Sequence, residues 1–175
     1  MLKPFYAIAL LVLTAAAADV ELAHAQPAAA ASKRWDVNAQ IAQLRDRLTD
    51  IPIAKVADSV AFRLPTGRVF PAFGHAIFPA AREYLRDVAE SLQRHPGTIL
   101  YIKVHSDNTG TPPSLLALTN ARAAALRDYL VARGVEPARI RAEGRGPQIP
   151  LGSNDTPDGR ELNRRIEFRI VGRTR

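Results

Sequence analysis

The sequence predicts an α/β fold, an α/β sandwich in which a mixed β-sheet carries helices packed on one face. Segments that alternate apolar and polar residues, typical of half-buried strands, are separated by segments with apolar residues at helical spacing. Proline and glycine stand at most of the junctions. The resulting order is β-α-β-α-β-(α)-β, and strands that alternate with helices build layered α/β folds.

The first strand and the first helix of this pattern are separated by an aromatic-rich loop. DSVAFRL at 58–64 places Val, Phe and Leu on one face, which predicts a half-buried strand. FPAFGHAIF at 70–78 forms the loop. Pro79 is favourable at the first position of a helix, and Pro96-Gly97 ends that helix.

The second half of the pattern repeats this alternation. TILYIKV is rich in β-branched and aromatic residues, which favours a strand. Gly134 is suited to end the following helix, and Thr156-Pro157 to begin a short one. The predicted elements are a strand at 98–104, a helix at about 113–133, a short strand at 140–143, a helical turn at 155–162 and a final strand at 164–171.

The N-terminus has the features of an export signal. MLK is positively charged, and the apolar run that follows is shorter than the roughly 20 residues of a membrane span. AHA at 23–25 is a small-x-small cleavage site, so the mature chain is expected to begin at Gln26 without a transmembrane span. Cleavage after Ala18 and an uncleaved membrane anchor are the alternatives. We therefore expect an exported protein of the periplasm, peripheral to the outer membrane.

Residues 26–57 precede the predicted domain. QPAAAASKR at 26–34 has the composition of a linker, whereas 35–50 has an apolar stripe at helical spacing. The favoured interpretation packs this stripe on the domain, and the alternative is a helix for an envelope protein partner. The predicted divisions are a signal peptide at 1–25, a linker and amphipathic helix at 26–57, a domain at 58–172 and a tail at 173–175.

Composition excludes several classes of function. The chain contains no cysteine, which excludes disulfides, thiolate metal sites, cysteine nucleophiles and a lipid attached through cysteine. The net charge of +7 is compatible with an acidic partner, but the export signal argues against nucleic acid. His75, His95 and His105 lack the spacing of metal ligands, so no metal or cofactor is expected. No nucleophile motif or catalytic pair of carboxylates is present, so we expect no enzymatic activity.

Several motifs occur in a recognisable order. They are FGHAIFPAAREYLRDVAESLQRHPG, VHSDNTG, LTNARAAALRDYLVARGVEPARI, GRGPQIP and NDTPDGRELNRRIEF. Together they resemble the OmpA C-terminal-like peptidoglycan-binding domain, a module also found in Pal-type lipoproteins and MotB-type stator proteins. The resemblance covers about residues 58–172.

The resemblance implies a binding module for the stem peptide of cell-wall peptidoglycan. Domains of this family hold the free end of diaminopimelate, which carries an ammonium and a carboxylate, without cleaving the peptide. Asp107 matches the family aspartate that binds the ammonium, and Arg122 matches the arginine that forks onto the carboxylate. These residue types suit a zwitterion, because the planar guanidinium matches a carboxylate. The implied role is to anchor an envelope protein or complex to the wall.

The resemblance also implies secondary contacts, and the chain departs from the family at some of them. Ser106 replaces a threonine and keeps the hydroxyl, Arg164 matches a position that borders the pocket, and Asn163 fastens backbone nearby. The departures are Val104 for a glycine, Leu115 for an asparagine, and Pro71 and Ala72 where an acid is usual. They motivate an alternative function, a structural subunit of a secretion or motility complex with weak or lost peptidoglycan binding.

Simpler explanations exist for both central residues. Asp107 lies in SDNTG, where aspartate commonly bonds its own backbone to form a turn. Arg122 could be a surface residue, although the positions three and four residues further on are Ala125 and Leu126, so no acidic partner lies there on the helix.

Overall fold

The computed structural model describes residues 35–173. The predicted export signal, the linker at 26–34 and the last two residues lie outside the described residues. The described elements are α1 (Val37–Arg47), β1 (Ala54–Val56), β2 (Ser59–Pro65), α2 (Pro79–Arg94), β3 (Thr98–His105), α3 (Pro112–Ala132), β4 (Ile140–Gly146), α4 (Pro157–Asn163) and β5 (Arg165–Gly172). None of the helices in this part of the chain is long and apolar enough to span a membrane.

The five strands form one mixed sheet in the order β1-β2-β5-β3-β4. β5 is antiparallel to both β2 and β3, whereas β3 and β4 are parallel. The predicted α/β class and the βαβαβ(α)β order are therefore confirmed, with β1 as an additional strand. β1 has three residues, all exposed, and so lacks the apolar alternation that marks the other strands.

The last strand in sequence is inserted between β2 and β3, and this insertion determines where the chain ends of the strands meet. Because β5 is antiparallel to both neighbours, β2 and β3 run in the same direction. Their C-terminal ends therefore lie at one edge of the sheet, beside the beginning of β5 at Arg165. Residues from three distant parts of the sequence are thereby brought together.

The hydrophobic core lies between the helices and one face of the sheet. Phe62 of β2 and Phe168 of β5 are paired across the strands and stack with their ring centroids 4.8 Å apart. The residue that follows each phenylalanine points to the opposite face, where Arg63 and Arg169 are exposed. The prediction of helices packed on one face is confirmed.

The helix α1 uses its apolar stripe inside the domain. Its N-terminus is capped by Asp36, and Gln40 donates a hydrogen bond from Nε2 to Ser91 Oγ of α2 at 3.0 Å. Ile41 and Leu44 are 5% and 1% exposed. The interpretation that the stripe packs on the domain is confirmed, and the two side chains are not available to a partner protein.

A glycine allows the long helix α3 to lie directly on β4. A Cβ atom at Gly144 would lie 2.3 Å from the backbone nitrogen of Asn120, which is too close for any side chain. Gly144 N donates to Asn120 Oδ1 at 2.9 Å, and Gly146 N donates to Thr119 Oγ1 at 3.0 Å. The predicted strand at 140–143 is longer in the structure, because pairing with β3 continues to Gly146.

Candidate functional site

A cavity of about 540 Å³ lies at the edge of the sheet where β2 and β3 end and β5 begins. Its volume is within the range of about 300–1,000 Å³ that is usual for small-ligand sites. Four of the five predicted site residues line it, namely Ser106, Asp107, Arg122 and Arg164. A second cavity of about 460 Å³ on the open face of the sheet contains none of them.

The ends of secondary-structure elements position these four side chains. β3 ends at His105, so Ser106 and Asp107 begin the loop that leaves the sheet, and Ser106 N is held by Gly146 O at 3.0 Å. Arg122 lies midway along α3. Arg164 is the residue between α4 and β5.

Asp107 is both a turn residue and an ion-pair partner. Oδ1 accepts a hydrogen bond from Thr109 N at 2.9 Å, which closes the turn, and Oδ2 accepts one from Arg164 Nη1. The residue is 5% exposed. Burial opposes ionisation, but the Thr109 N–H and the Arg164 guanidinium outweigh it and hold the pKa of Asp107 below its ordinary value. Asp107 is therefore a buried carboxylate with a fixed orientation.

Arg122 is buried and holds the aromatic-rich loop before α2. Its Nε donates to Gly74 O at 2.8 Å, and its Nη2 donates to the carbonyls of Pro71 and Ala72 at 2.7 and 2.8 Å. Its guanidinium carbon lies 5.4 Å from the centre of the Phe70 ring. Carbonyl groups from a segment distant in sequence therefore take the place of an acidic partner on the helix. Burial lowers the pKa of Arg122.

One nitrogen of Arg122 differs from the other two. Nη1 makes no hydrogen bond to any residue between 35 and 173, whereas Nε and Nη2 are engaged by the loop carbonyls. Because a guanidinium has five N–H donors and no acceptor, an acceptor is the only hydrogen-bonding group that Nη1 can bind.

Arg164 connects two carboxylates at the mouth of the cavity. It donates to Glu161 Oε2 through Nη2 and to Asp107 Oδ2 through Nη1, and its side chain is 41% exposed. Glu161 and Asp107 raise its pKa. With Arg122, the cavity contains two guanidinium groups and two carboxylates, so its formal charge is balanced.

Asn163, the fifth predicted residue, lies outside the cavity. It is 0% exposed, and its Oδ1 accepts hydrogen bonds from Leu151 N and Gly152 N at 2.6 and 3.0 Å. Its Nδ2 donates to Gly152 O and Asn154 Oδ1. The side chain fastens the loop before α4, next to Arg164 in the sequence.

The departures from the family pattern have different consequences. Val104 is 0% exposed and packs in the hydrophobic core. Leu115 lines the cavity, so an apolar side chain stands where the family has an asparagine. Pro71 and Ala72 contribute backbone carbonyls to Arg122 in place of an acidic side chain.

The cavity also contains residues that the sequence did not indicate. Glu161 lines it from α4, and Thr66 lines it just after β2. Thr66 stands in a Pro-Thr-Gly segment that predicts only the end of a strand. Neither has a motif that could have revealed it, because each reaches the cavity through the packing of separate elements.

A family model described as the OmpA family matches residues 70–164, more than half of the chain. The chain belongs to the OmpA family. The matched segment begins with the loop that Arg122 holds and ends at Arg164, and so it contains the four predicted residues that line the cavity.

Individual members of the OmpA family and solved structures are similar to this chain. Probable lipoprotein YiaD of Escherichia coli K12 is 30% identical over 77% of this chain and 62% of its own length. Peptidoglycan-binding protein ArfA of Mycobacterium tuberculosis is 42% identical over 54% of this chain and 29% of its own length. The chain therefore spans less than two thirds of either relative.

A structural neighbour supports the fold. The structure of the cell wall anchor of the T6SS from Pseudomonas aeruginosa has a TM-score of 0.67 and 23% identity, and the match covers 81% of this chain and all of the neighbour. Since the identity is below a quarter, this likeness concerns the architecture.

Proposed function

We propose that this protein binds cell-wall peptidoglycan non-covalently, through the diaminopimelate residue of the stem peptide. One observation carries the proposal: Asp107 and Arg122 line the same cavity although different elements supply them. A cavity with one buried anion and one buried cation of fixed orientation suits a group that carries both an ammonium and a carboxylate.

The charge balance of the cavity favours a zwitterion over a singly charged ligand. Two guanidinium groups face two carboxylates, so a ligand group with no net charge adds no uncompensated charge. An isolated cation or anion would leave one charge unpaired in a partly buried site, at a cost in free energy. Diaminopimelate at neutral pH meets this requirement at its free end.

The two ends of the zwitterion have different partners in this proposal. The ammonium takes a place beside Asp107 Oδ2, where it shares the carboxylate with Arg164. The carboxylate accepts hydrogen bonds from Nη1 of Arg122, because Nε and Nη2 already bond to the loop at 71–74. The ligand thus contacts a single guanidinium nitrogen of Arg122, Nη1, rather than the two nitrogens that the resemblance implies.

Relatives support the proposed role. ArfA is named as a peptidoglycan-binding protein, and the T6SS structural neighbour is named as a cell wall anchor. We infer that this chain anchors an envelope protein or complex to the wall, in the periplasm after export, and that it does so as a binding protein without enzymatic activity.

Co-sedimentation of the purified protein with diaminopimelate-type peptidoglycan tests the proposal. Asp107→Asn keeps the shape of the side chain and removes its charge, and we expect binding to fall at least tenfold, equivalent to about 1.4 kcal/mol. Arg122→Ala is expected to cost at least as much. Retained binding in both variants would exclude the cavity as the site.

Matched controls lie on the outer face of α3. Asp128→Asn and Arg127→Ala make the same changes of charge at exposed positions, and they are expected to bind like the wild type. Thermal unfolding of each variant separates lost binding from lost structure. Release of soluble muropeptides by the pure protein would contradict a function without catalysis.

The alternative, a structural subunit with weak or lost wall binding, has less support. Val104 and Leu115 motivate it, and a partner helix at 35–50 would have favoured it, but that helix buries Ile41 and Leu44 in its own domain. Leu115 makes the cavity more apolar but leaves Asp107 and Arg122 in it. A wild-type protein that does not co-sediment with peptidoglycan would favour this alternative.

A further inference from the structure

Thr66 is a buried polar residue of the cavity that takes no part in the proposed binding of the zwitterion. It is 3% exposed and lines the cavity from the short turn after β2. Its backbone is fixed, because Thr66 N donates to Arg164 O at 2.8 Å and Thr66 O accepts hydrogen bonds from Val69 N and Phe70 N. The hydroxyl is therefore held in place at the edge of the sheet beside Arg164, the ion-pair partner of Asp107.

The Thr66 hydroxyl is buried without a partner. Within residues 35–173, neither Thr66 Oγ1 nor Ser106 Oγ has a hydrogen-bonding partner, although both atoms are buried. Ser106 is 8% exposed and lines the same cavity. Buried hydroxyls are normally hydrogen-bonded, and leaving one without a partner destabilises the fold. Two such groups in one cavity indicate a polar ligand group that binds them.

The chemistry of a hydroxyl narrows the class of ligand group. A carboxylate only accepts hydrogen bonds and a guanidinium only donates them, whereas a hydroxyl does both. A peptide amide also has both functions, an N–H and a carbonyl. The pair of hydroxyls therefore suits a neutral amide, while Asp107 and Arg122 suit the charges of a zwitterion.

We infer that Thr66, together with Ser106, binds a peptide amide adjoining the diaminopimelate residue. The inference rests on the proposed function and extends it to the substrate. The site then distinguishes diaminopimelate within a stem peptide from the free amino acid, which has no amide. Thr66 is a residue that determines specificity, while Asp107 and Arg122 bind the zwitterion that both ligands share.

The experiment compares two ligands by calorimetry, free meso-diaminopimelate and the tripeptide L-Ala-D-isoGlu-meso-diaminopimelate. The wild type is expected to bind the tripeptide more tightly. Thr66→Val replaces the hydroxyl by a methyl group and is expected to weaken tripeptide binding roughly three- to tenfold, the effect of one neutral hydrogen bond. Binding of the free amino acid is expected to change less than twofold.

Two further variants separate specificity from structure. Thr66→Ser keeps the hydroxyl and is expected to retain the preference for the tripeptide, whereas Ser106→Ala is expected to lose part of it. Thr66→Val is expected to unfold at the wild-type temperature or higher, because it removes an unpartnered buried hydroxyl. A clear loss of thermal stability would instead indicate a structural role for Thr66.

The outcomes distinguish this inference from the proposed function. If Thr66→Val weakens both ligands equally, or neither, the amide assignment is wrong while the zwitterion site stands. If the wild type binds neither ligand, the proposed function fails, and the inference fails with it.

Discussion

A buried arginine from another part of the chain lies near each end of strand β3, and the two arginines have similar hydrogen bonds. At the start of the strand, Arg139 donates to the carbonyls of Thr98, Leu92 and His95 at 2.7–2.9 Å. Beyond its far end, Arg122 donates to three loop carbonyls at 2.7–2.8 Å. Both residues are 5% exposed, and burial lowers the pKa of each.

The difference between the two ends lies in what surrounds the guanidinium groups. Both arginines bond through Nε and Nη2 to other groups of the protein. Arg122 lines a cavity with two carboxylates and two hydroxyls that have no hydrogen-bonding partner among residues 35–173, whereas Arg139 lines neither of the cavities described above. A buried arginine with good hydrogen bonds is therefore not in itself a sign of function. The combination of a cavity, an opposite charge and unsatisfied polar atoms is what distinguishes the end with the candidate site.

The largest expected effect is on stability, at the Arg139 end. Arg139→Ala leaves the carbonyls of Leu92 and Thr98, both buried residues, without their donor, and we expect the free energy of unfolding to fall by about 2–4 kcal/mol. Arg122→Ala is expected to cost less, because Ala72 is exposed and water can reach its carbonyl. Urea unfolding measures both values. A larger loss of unfolding free energy for Arg122→Ala than for Arg139→Ala would contradict the difference between the two ends.

The second effect concerns the pH dependence of stability and two histidines, His105 at the end of β3 and His95 just before its start. Burial, followed by Arg165, lowers the pKa of His105 from 6.5 to about 4. The folded state then binds fewer protons than the unfolded state, so stability is complete above pH 6.5 and is lost as the pH falls towards 4. The loss is on the order of 3 kcal/mol.

Unfolding in urea as a function of pH checks this prediction. His105→Asn is expected to flatten the pH dependence between pH 6.5 and 4. His95, at the other end of β3, is less buried, and burial also lowers its pKa. His95→Asn is therefore expected to flatten the dependence less, and equal effects of the two variants would contradict the difference between the ends.

A third, smaller effect separates the charge of Arg122 from its geometry. Arg122→Lys keeps the positive charge, but the lysine ammonium has only three N–H donors. It cannot bond to all three loop carbonyls and also donate a hydrogen bond to a ligand. We expect peptidoglycan binding to fall roughly tenfold, with a loss of about 1 kcal/mol in stability. Arg127→Lys on the outer face of α3 is the control. Full binding by Arg122→Lys would show that charge alone is sufficient.

The smallest effect concerns Arg164, which is partly exposed. Its guanidinium helps to hold the pKa of Asp107 low, so Arg164→Gln is expected to raise that pKa. The proposed binding mode requires the Asp107 carboxylate, and so we expect binding to be lost at a higher pH in the variant than in the wild type. Co-sedimentation measured from pH 7 down to pH 3 detects the shift. An unchanged midpoint would show that Arg164 does not act through Asp107.

Most elements of the fold could be predicted because each has a local signal. Alternation marks β2 and β5, and Pro79 and Gly134 mark helix ends. β1 and the extension of β4 to Gly146 were missed. β1 is exposed throughout, and the end of β4 pairs with β3 and donates hydrogen bonds to side chains of α3. Such contacts join residues that are distant in sequence and leave no periodic pattern.

The candidate site was predictable in part. The motifs indicated Asp107, Arg122, Ser106 and Arg164, and all four line one cavity. The position of Thr66 in this cavity depends on the insertion of β5 between β2 and β3, which no sequence motif predicts.

By itself, the sequence determined the α/β class, the order of the helices and strands, and the residue types suited to a zwitterion. Those properties follow from periodicity, caps and local motifs. Tertiary contacts, by contrast, bond Nε and Nη2 of Arg122 to the loop at 71–74 and Arg164 to the Asp107 carboxylate. They also leave the Thr66 hydroxyl buried without a hydrogen-bonding partner among residues 35–173. The physical reason is that hydrogen bonds and burial depend on which groups meet in space, and distant segments meet only when the sheet is assembled.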